Sequence, residues 1–201
     1  MDKAKRAYIL SLWPILDKKR KFLFMPIAKS ATRAISRLLL KDRIIHFKSG
    51  IDKHKEAFNS YSDEELEVLF SFAIVRNPWD RLVSFFFYML KEKPEILGTK
   101  DFKTFVMGKL AEEGTRQDEH LYTQHSRLYY KGEPLVEFFG RFESIKKDWA
   151  FIARKIGAPA VLPVYGASRH KNFQSYYDQD TIAVVNDLYR DDIEAFGYSF
   201  E

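Results

Sequence analysis

Two short segments carry the residues best suited to hold an anion. Ala28-Lys-Ser-Ala-Thr-Arg33 puts a lysine, two hydroxyls and an arginine into six residues between an apolar run and an amphipathic one. If a helix starts there, its first N–H groups have no partner inside the helix, and together with the helix dipole they attract negative charge. Lys29 adds a full charge, and Ser30 and Thr32 add hydroxyl donors. This chemistry suits a phosphate or a sulfate. The pattern Gly-x4-Gly-Lys-[Ser/Thr] of nucleoside triphosphate loops is absent, and the segment has no glycine. Taken alone, it is read more simply as a helix start capped by Ser30.

The second segment is Arg76-Asn-Pro-Trp-Asp-Arg-Leu-Val-Ser84. Arg76 follows an apolar run, where a strand would end, and its guanidinium fork can take a phosphate with two hydrogen bonds. Asn77, Arg81 and Ser84 are spaced by four and three, so they share one helix face. Leu82, Phe85, Phe86 and Met89 form the face to be buried. A capped amphipathic helix with surface arginines would explain Pro78 and Asp80, but it gives no reason for Arg76 and Ser84. The histidines His46, His54, His120, His125 and His170 are candidates for proton transfer near neutral pH. Their spacing matches no metal site, so no metal is expected.

The elements that must position these groups follow from periodicity and capping. Phe22–Ile27 reads as a buried strand, Ala31–Leu40 as a helix and Ile44–Phe47 as a further strand. Asp63–Phe70 reads as a helix opened by a Ser62/Glu65 capping box. Ser71–Val75 is the clearest strand. Asn77 caps the next helix, with Pro78 at its first position and Asp80 in its first turn, and the helix runs to about Leu90. Lys91–Lys100 reads as a loop, Phe102–Leu110 as a helix, and a further helix is expected from Gln117–Glu119. Leu135–Phe139 is read as a strand ending near Arg141. Ser144–Ile156 is read as a helix stopped by Gly157 and Pro159, residues 158–175 as a loop, and Gln179–Phe196 as a final helix closed by Gly197. Alternating strands and helices imply an α/β fold with a mainly parallel sheet covered by helices, whose ligands bind beyond the carboxyl ends of the strands.

The 201 residues suffice for a single domain, with residues 1–21 expected to pack on it as an N-terminal segment. Hydrophobic content of 46% with 30% charged residues excludes a disordered chain. The absence of cysteine excludes disulfides, thiolate metal sites and a cysteine nucleophile. A net charge of +5 suits an anionic ligand, while by charge alone a plain basic surface is the simpler reading. The charge is too modest for a nucleic-acid binder, and no nucleic-acid motif is present. No apolar run is long enough to span a membrane, and the basic N-terminus lacks a small-residue cleavage site.

Phe72-Ala-Ile-Val-Arg-Asn-Pro-Trp-Asp-Arg-Leu-Val-Ser84 resembles the 3′-phosphate-binding motif of the carbohydrate sulfotransferase family, the group that includes heparan 2-O- and chondroitin enzymes. Pro26–Ile35 is similar to its 5′-phosphosulfate loop. Gly140–Glu143 with Asp148, and the tail from Tyr176-Tyr177 through Asp191 to Phe200, are similar to later family segments. The resemblance runs from Phe22 to the C-terminus. It implies a P-loop NTPase-like three-layer fold, 3′-phosphoadenosine 5′-phosphosulfate (PAPS) as donor, PAP as product, and no metal. It assigns Lys29 and the backbone of Ser30, Ala31, Thr32, Arg33 and Ala34 to the 5′-phosphosulfate, and Arg76 and Ser84 to the 3′-phosphate. It makes Lys29 catalytic and places His54 at the position of the catalytic base, with Glu56 as an alternative. His120 and Gln124 look like a family His-x-x-x-Gln pair on one helical face, near the acceptor or in a structural hydrogen bond. Arg169 is assigned to the nucleotide or to an anionic acceptor, with a solvated basic loop as the plainer reading. The loop departs from the family's Pro-Lys-Thr-Ala-Gly-Thr-Ser at Ala28, Thr32, Arg33 and Ala34. The implied acceptor is a hydroxyl on a glycan or glycoconjugate, and the implied location is the cytoplasm of a bacterial or viral system. A non-catalytic module that binds PAP or an anionic polysaccharide, and a P-loop kinase, are the competing functions.

Overall fold

The computed structural model describes residues 1–40, 56–165 and 170–201, apart from the Arg116 side chain. The strand expected at Ile44–Phe47, together with His46, His54 and Arg169, lies outside the described residues. The chain divides into two compact units. The first comprises Met1–Ile27, Ala31–Ile74 and Leu128–Tyr165; the second comprises Ala28–Ser30, Val75–Arg127 and Gly166–Glu201.

The first unit is built on a four-stranded sheet of order β1-β2-β3-β6, from β1 (Ile15–Asp17), β2 (Phe22–Met25), β3 (Phe70–Val75) and β6 (Phe138–Arg141). β1 runs antiparallel to β2, with Ile15 opposite Phe24, and β2 runs parallel to β3, with Phe24 opposite Phe72. Every residue of β2 is buried, as expected for a sheet covered on both faces. On one face, Phe22, Phe24, Phe72 and Ile74 pack against α2 (Thr32–Leu40) through Ile35 and Leu39. The same face meets α8 (Ile145–Ile156) through Trp149 and Ile152. The Trp149 indole N–H donates to the carbonyl of Pro159 at 3.0 Å, so this buried ring leaves no polar atom unmatched. On the other face, Leu23 neighbours Ile9 of α1 (Lys3–Ser11), Phe58, and Leu66 of α3 (Asp63–Glu67). Arg6 of α1 donates to the Asp63 carboxylate at 2.7 Å and to the carbonyl of Tyr61 at 2.5 Å, tying the N-terminal segment to this unit. The architecture is α/β, with a central mainly parallel sheet flanked by helices, as the alternation of elements implies.

Local chemistry explains where the elements differ from expectation. The Ser62/Glu65 capping box is present, but α3 stops at Glu67 because β3 already begins at Phe70. The strand expected over Leu135–Phe139 starts only at Phe138. Ahead of it a hairpin pairs β4 (Tyr129–Tyr130) with β5 (Glu133–Pro134). Its two-residue loop, Lys131-Gly132, has φ of +52° and +84°, the pair of positive angles that a type I′ turn requires.

In the second unit, α4 (Pro78–Glu92) is capped by Asn77, whose Oδ1 accepts from the N–H groups of Trp79 at 3.1 Å and Asp80 at 3.3 Å. Leu82, Phe85, Phe86 and Met89 form a core with Phe102, Phe105, Val106, Leu110, Val185 and Tyr189. The expected loop at Lys91–Lys100 contains a helical turn, α5 (Pro94–Leu97), because Pro94 suits a first helical position and Gly98, at φ +70°, ends it. α6 (Phe102–Phe105) continues through a π-helical turn at Val106–Leu110. No helix starts at Gln117–Glu119. Asp118 accepts the N–H of His120 at 2.8 Å, holding a side-chain-closed turn, and α7 (Gln124–Leu128) begins later. The last helix is broken into α9 (Gln179–Leu188) and α10 (Arg190–Phe196), where buried Tyr189 leaves helical geometry and donates its hydroxyl to the carbonyl of Leu121 at 3.0 Å. No helix among the described residues is long and apolar enough to cross a membrane.

Gly140 of β6 sits where a side chain has no room. A Cβ there would lie 2.7 Å from Ile74 Cδ1 and 3.3 Å from Asp148 Cβ. Gly140→Ala should therefore cost about 1–3 kcal/mol of stability by overpacking. Urea denaturation measures it, and an unchanged midpoint would show that the contact yields freely.

Candidate functional site

The loop after β2 is held in an unfavourable backbone geometry. Lys29 has φ +67° and Ala31 has φ +60°, each a left-handed conformation that costs an L-residue about 1–2 kcal/mol. Such strain persists only where surrounding contacts impose it, and it concentrates at functional sites. Ser30, between them, is fully buried, and its Oγ has no hydrogen-bond partner among the described residues. The Thr32 hydroxyl donates to the carbonyl of Ile27 at 2.6 Å and closes the loop. Arg33 is exposed and Ala34 buried. The first α2 backbone bond runs from the N–H of Ile35 to the carbonyl of Ala31 at 3.1 Å, so the N–H groups of residues 32–34 precede the helix ladder.

Lys29 and Ser30 belong to the second unit, as do Arg76 and Ser84, whereas Ala31, Thr32, Arg33 and Ala34 belong to the first. Within the second unit, Lys29 Nζ lies 3.9 Å from the centroid of the Tyr88 ring, a cation–π contact. The Lys29 carbonyl accepts from Arg76 Nη1 at 2.8 Å. Arg76 is only 6% exposed, and its Nε donates to Asp80 Oδ2 at 2.8 Å. These two bonds fix the plane of the guanidinium at the end of β3. Ser84 is buried two turns further along α4.

The main chain of Arg76 is clasped by Gln124. The amide Oε1 accepts the Arg76 N–H at 2.8 Å, and Nε2 donates to the Arg76 carbonyl at 2.8 Å, extending the ladder past the strand's last residue. Gln124 is itself held by Asp192, which accepts from the Gln124 N–H at 3.0 Å, from Nε2 at 3.3 Å and from the His125 N–H at 2.7 Å. Asp192 is fully buried, and Arg81 Nη2 lies 3.9 Å away. Burial pushes the Asp192 carboxyl above the ordinary carboxylate range, while Arg81 and the three N–H bonds oppose the shift. Arg81 donates to the carbonyls of His120 at 3.0 Å and Tyr122 at 2.8 Å.

One competing reading is set aside here, and one expectation is corrected. With Arg76 at 6% and Arg81 at 3% exposure, this is no helix with surface arginines, and Arg81 is held in a buried network through its two Nη atoms. His120 and Gln124 do not share a helical face. His120 lies in the Asp118 turn, its Nδ1 2.7 Å from Asp118 Oδ1, while Gln124 opens α7 and turns to Arg76. The His120 ring is 6.1 Å from the Tyr88 ring and 6.4 Å from Phe85.

Sequence reasoning passed over Tyr88, Asp118 and Asp192. Asp118 could have been found from its spacing of two before a histidine. Tyr88 gave no signal, because it ends a run of rings, Phe85-Phe-Phe-Tyr88, that reads as core. Elsewhere in the second unit, a cleft of about 570 Å³ is lined by Trp79, Asn186, Arg190, Tyr198 and Phe200. Lys29, Arg76 and His120 do not line it.

The model of the sulfotransferase family matches residues 14–199 of the chain. No curated protein and no solved structure gives a significant match.

The buried carboxylate supplies a test of the network. Asp192→Ala leaves Arg81 buried without its counter-charge and should cost about 3 kcal/mol in urea denaturation. Because the folded-state pKa of Asp192 is raised, folding is favoured by this group below its unfolded pKa and loses that contribution as pH rises through the folded value. The stability of the native chain should therefore fall relative to Asp192→Asn as pH rises from about 4. Parallel profiles for the two proteins would show that the carboxyl is not perturbed.

Proposed function

Because the chain belongs to the sulfotransferase family, with its P-loop-like fold, we propose that it moves a sulfuryl group from PAPS to a hydroxyl of a glycan or glycoconjugate. The observation that carries this reading is the hydrogen bond between the Arg76 guanidinium and the Lys29 carbonyl. It brings together two cationic residues 47 positions apart. A donor nucleotide that is anionic at its 5′ and 3′ ends requires such a pair. The orphaned hydroxyl of fully buried Ser30 fits a ligand that accepts a hydrogen bond at the loop.

The residues then divide the work. Lys29 neutralises charge that develops on the leaving oxygen, a role worth several kcal/mol in a water-poor site. Ser30 and the backbone N–H groups of Ala31, Thr32, Arg33 and Ala34 hold the phosphosulfate end. The departures from the family loop lie in side chains, and a cradle of backbone N–H groups tolerates them. Arg76 and Ser84 hold the 3′-phosphate, with the guanidinium plane preset by Asp80. Arg169 contacts the nucleotide or an anionic acceptor. His54, at the family position of the base, is assigned to the acceptor hydroxyl. The reading assigns no role to a metal, because a sulfuryl group carries less charge than a phosphoryl group.

Lys29→Ala and Arg76→Ala should each lower turnover of PAPS about 100-fold or more, with circular dichroism unchanged. Arg76→Ala should also weaken PAP binding in calorimetry. Near-native turnover in either variant would remove that residue from the site. His54→Ala should slow turnover while PAP affinity is retained, and an unchanged rate would exclude His54 from the chemistry. Tight PAP binding by the native chain without transfer to any hydroxyl would favour the non-catalytic binding module instead.

A further inference from the structure

Transfer to a hydroxyl needs a group that removes its proton, and one described histidine has the surroundings for this. Asp118 Oδ1 lies 2.7 Å from His120 Nδ1. A carboxylate there keeps the hydrogen on Nδ1 and leaves Nε2 as a proton acceptor, the arrangement that orients imidazole bases in general. The His120 side chain is one-third exposed, at 33%, so a ligand can reach it, and no hydrogen bond to Nε2 is seen among the described residues.

The position of the ring is as telling as its partner. The Tyr88 ring carries Lys29 Nζ at 3.9 Å and the His120 ring at 6.1 Å. The ammonium and the imidazole are therefore no more than about 10 Å apart, within the reach of an in-line transfer with two hydrogen bonds of about 3 Å and the breaking and forming bonds between them. Lysine would stand beside the leaving oxygen and imidazole beside the attacking one.

The turn that carries His120 is also anchored as a catalytic element must be. Arg81 of α4 holds the His120 carbonyl at 3.0 Å and the Tyr122 carbonyl at 2.8 Å. Two residues beyond Tyr122, Gln124 clasps Arg76. The placement of His120 is thus tied to the arginine assigned to the donor.

We infer that His120, oriented by Asp118, is a catalytic residue on the acceptor side. Its Nε2 takes the proton of the acceptor hydroxyl as the sulfuryl group is transferred. The acceptor O–H bond breaks and an N–H bond forms at Nε2. The acceptor oxygen's electron pair forms the new S–O bond. The S–O bond to the 5′-phosphate breaks, its electron pair stays on the phosphate oxygen, and Lys29 meets that charge. The imidazolium, stabilised by Asp118, then returns its proton to water. The inference rests on the sulfotransferase reading above and identifies the base within it as His120 in place of His54.

The test uses the full chain with PAPS and water as the attacking hydroxyl, read as PAP release across pH. PAP binding is followed by calorimetry and folding by thermal melting. His120→Gln should slow release about 100-fold and remove the acidic limb of the pH profile, with PAP affinity kept within about twofold. Asp118→Asn should slow release about tenfold, and it serves as the second variant if His120→Gln melts early. In ¹⁵N-histidine spectra of the native chain, the His120 proton should reside on Nδ1. Native rate and pH profile in both variants, or a proton on Nε2, would overturn the inference. If the limb disappears in His54→Ala but persists in His120→Gln, the base is His54 and the inference is likewise overturned. A native chain that neither binds PAP nor releases it from PAPS would instead sink the donor reading itself.

Discussion

The carboxamide of Gln124, bonded on both sides to the backbone of Arg76, is the contact from which the second unit's chemistry is hung. A strand end leaves an N–H and a carbonyl that must be paired when buried. Here one side chain satisfies both, and it can do so only because buried Asp192 holds it in a single orientation. The carboxylate is kept in an unfavourable medium by three N–H bonds and the nearby Arg81. A buried charge set of this kind contributes little net stability compared with an apolar core, but it tolerates few alternative geometries. It fixes where Arg76 stands and, through Arg81, where the 118–123 turn stands.

The strained loop complements this rigidity. Two L-residues at positive φ, Lys29 and Ala31, flank a serine with an unanswered hydroxyl. The loop lacks the glycines that usually relieve such angles, so its conformation is imposed by its surroundings. One of these is the Arg76 bond to the Lys29 carbonyl, and another is the Thr32 bond to the carbonyl of Ile27. On the proposed reading this strain is pre-organisation, since a loop shaped in advance would lose less entropy in holding an anion.

Much of the frame was legible in the sequence because it follows local rules. The Ser62/Glu65 capping box, the Asn77 cap with Pro78, and the Gly157 and Gly197 stops are local in origin, and all appear. So does the alternation that implies a mainly parallel sheet. What was not legible depends on partners distant in the chain. Tyr189 breaks a helix that is continuous by periodicity because its hydroxyl is drawn to Leu121, 68 residues away. Arg81 has the spacing of a surface residue, and only the carbonyls of His120 and Tyr122 make it an interior one. Of the candidate site, Lys29 and Arg76 stood out by type and position. Asp118, Tyr88 and Asp192 acquire meaning only from the neighbours that folding gives them.

Asp80 has one more effect. Its carboxylate sits against Arg76 at 2.8 Å and within 4.0 Å of His170 Nε2, so a negative charge is built in beside the cation expected to meet the nucleotide. A phosphate bound as proposed would share that arginine with a like charge, and the repulsion would lower how firmly the nucleotide is gripped. In the proposed reaction, whose spent product carries as much negative charge as its donor, a weaker grip would shorten the product's stay and free the enzyme for the next cycle.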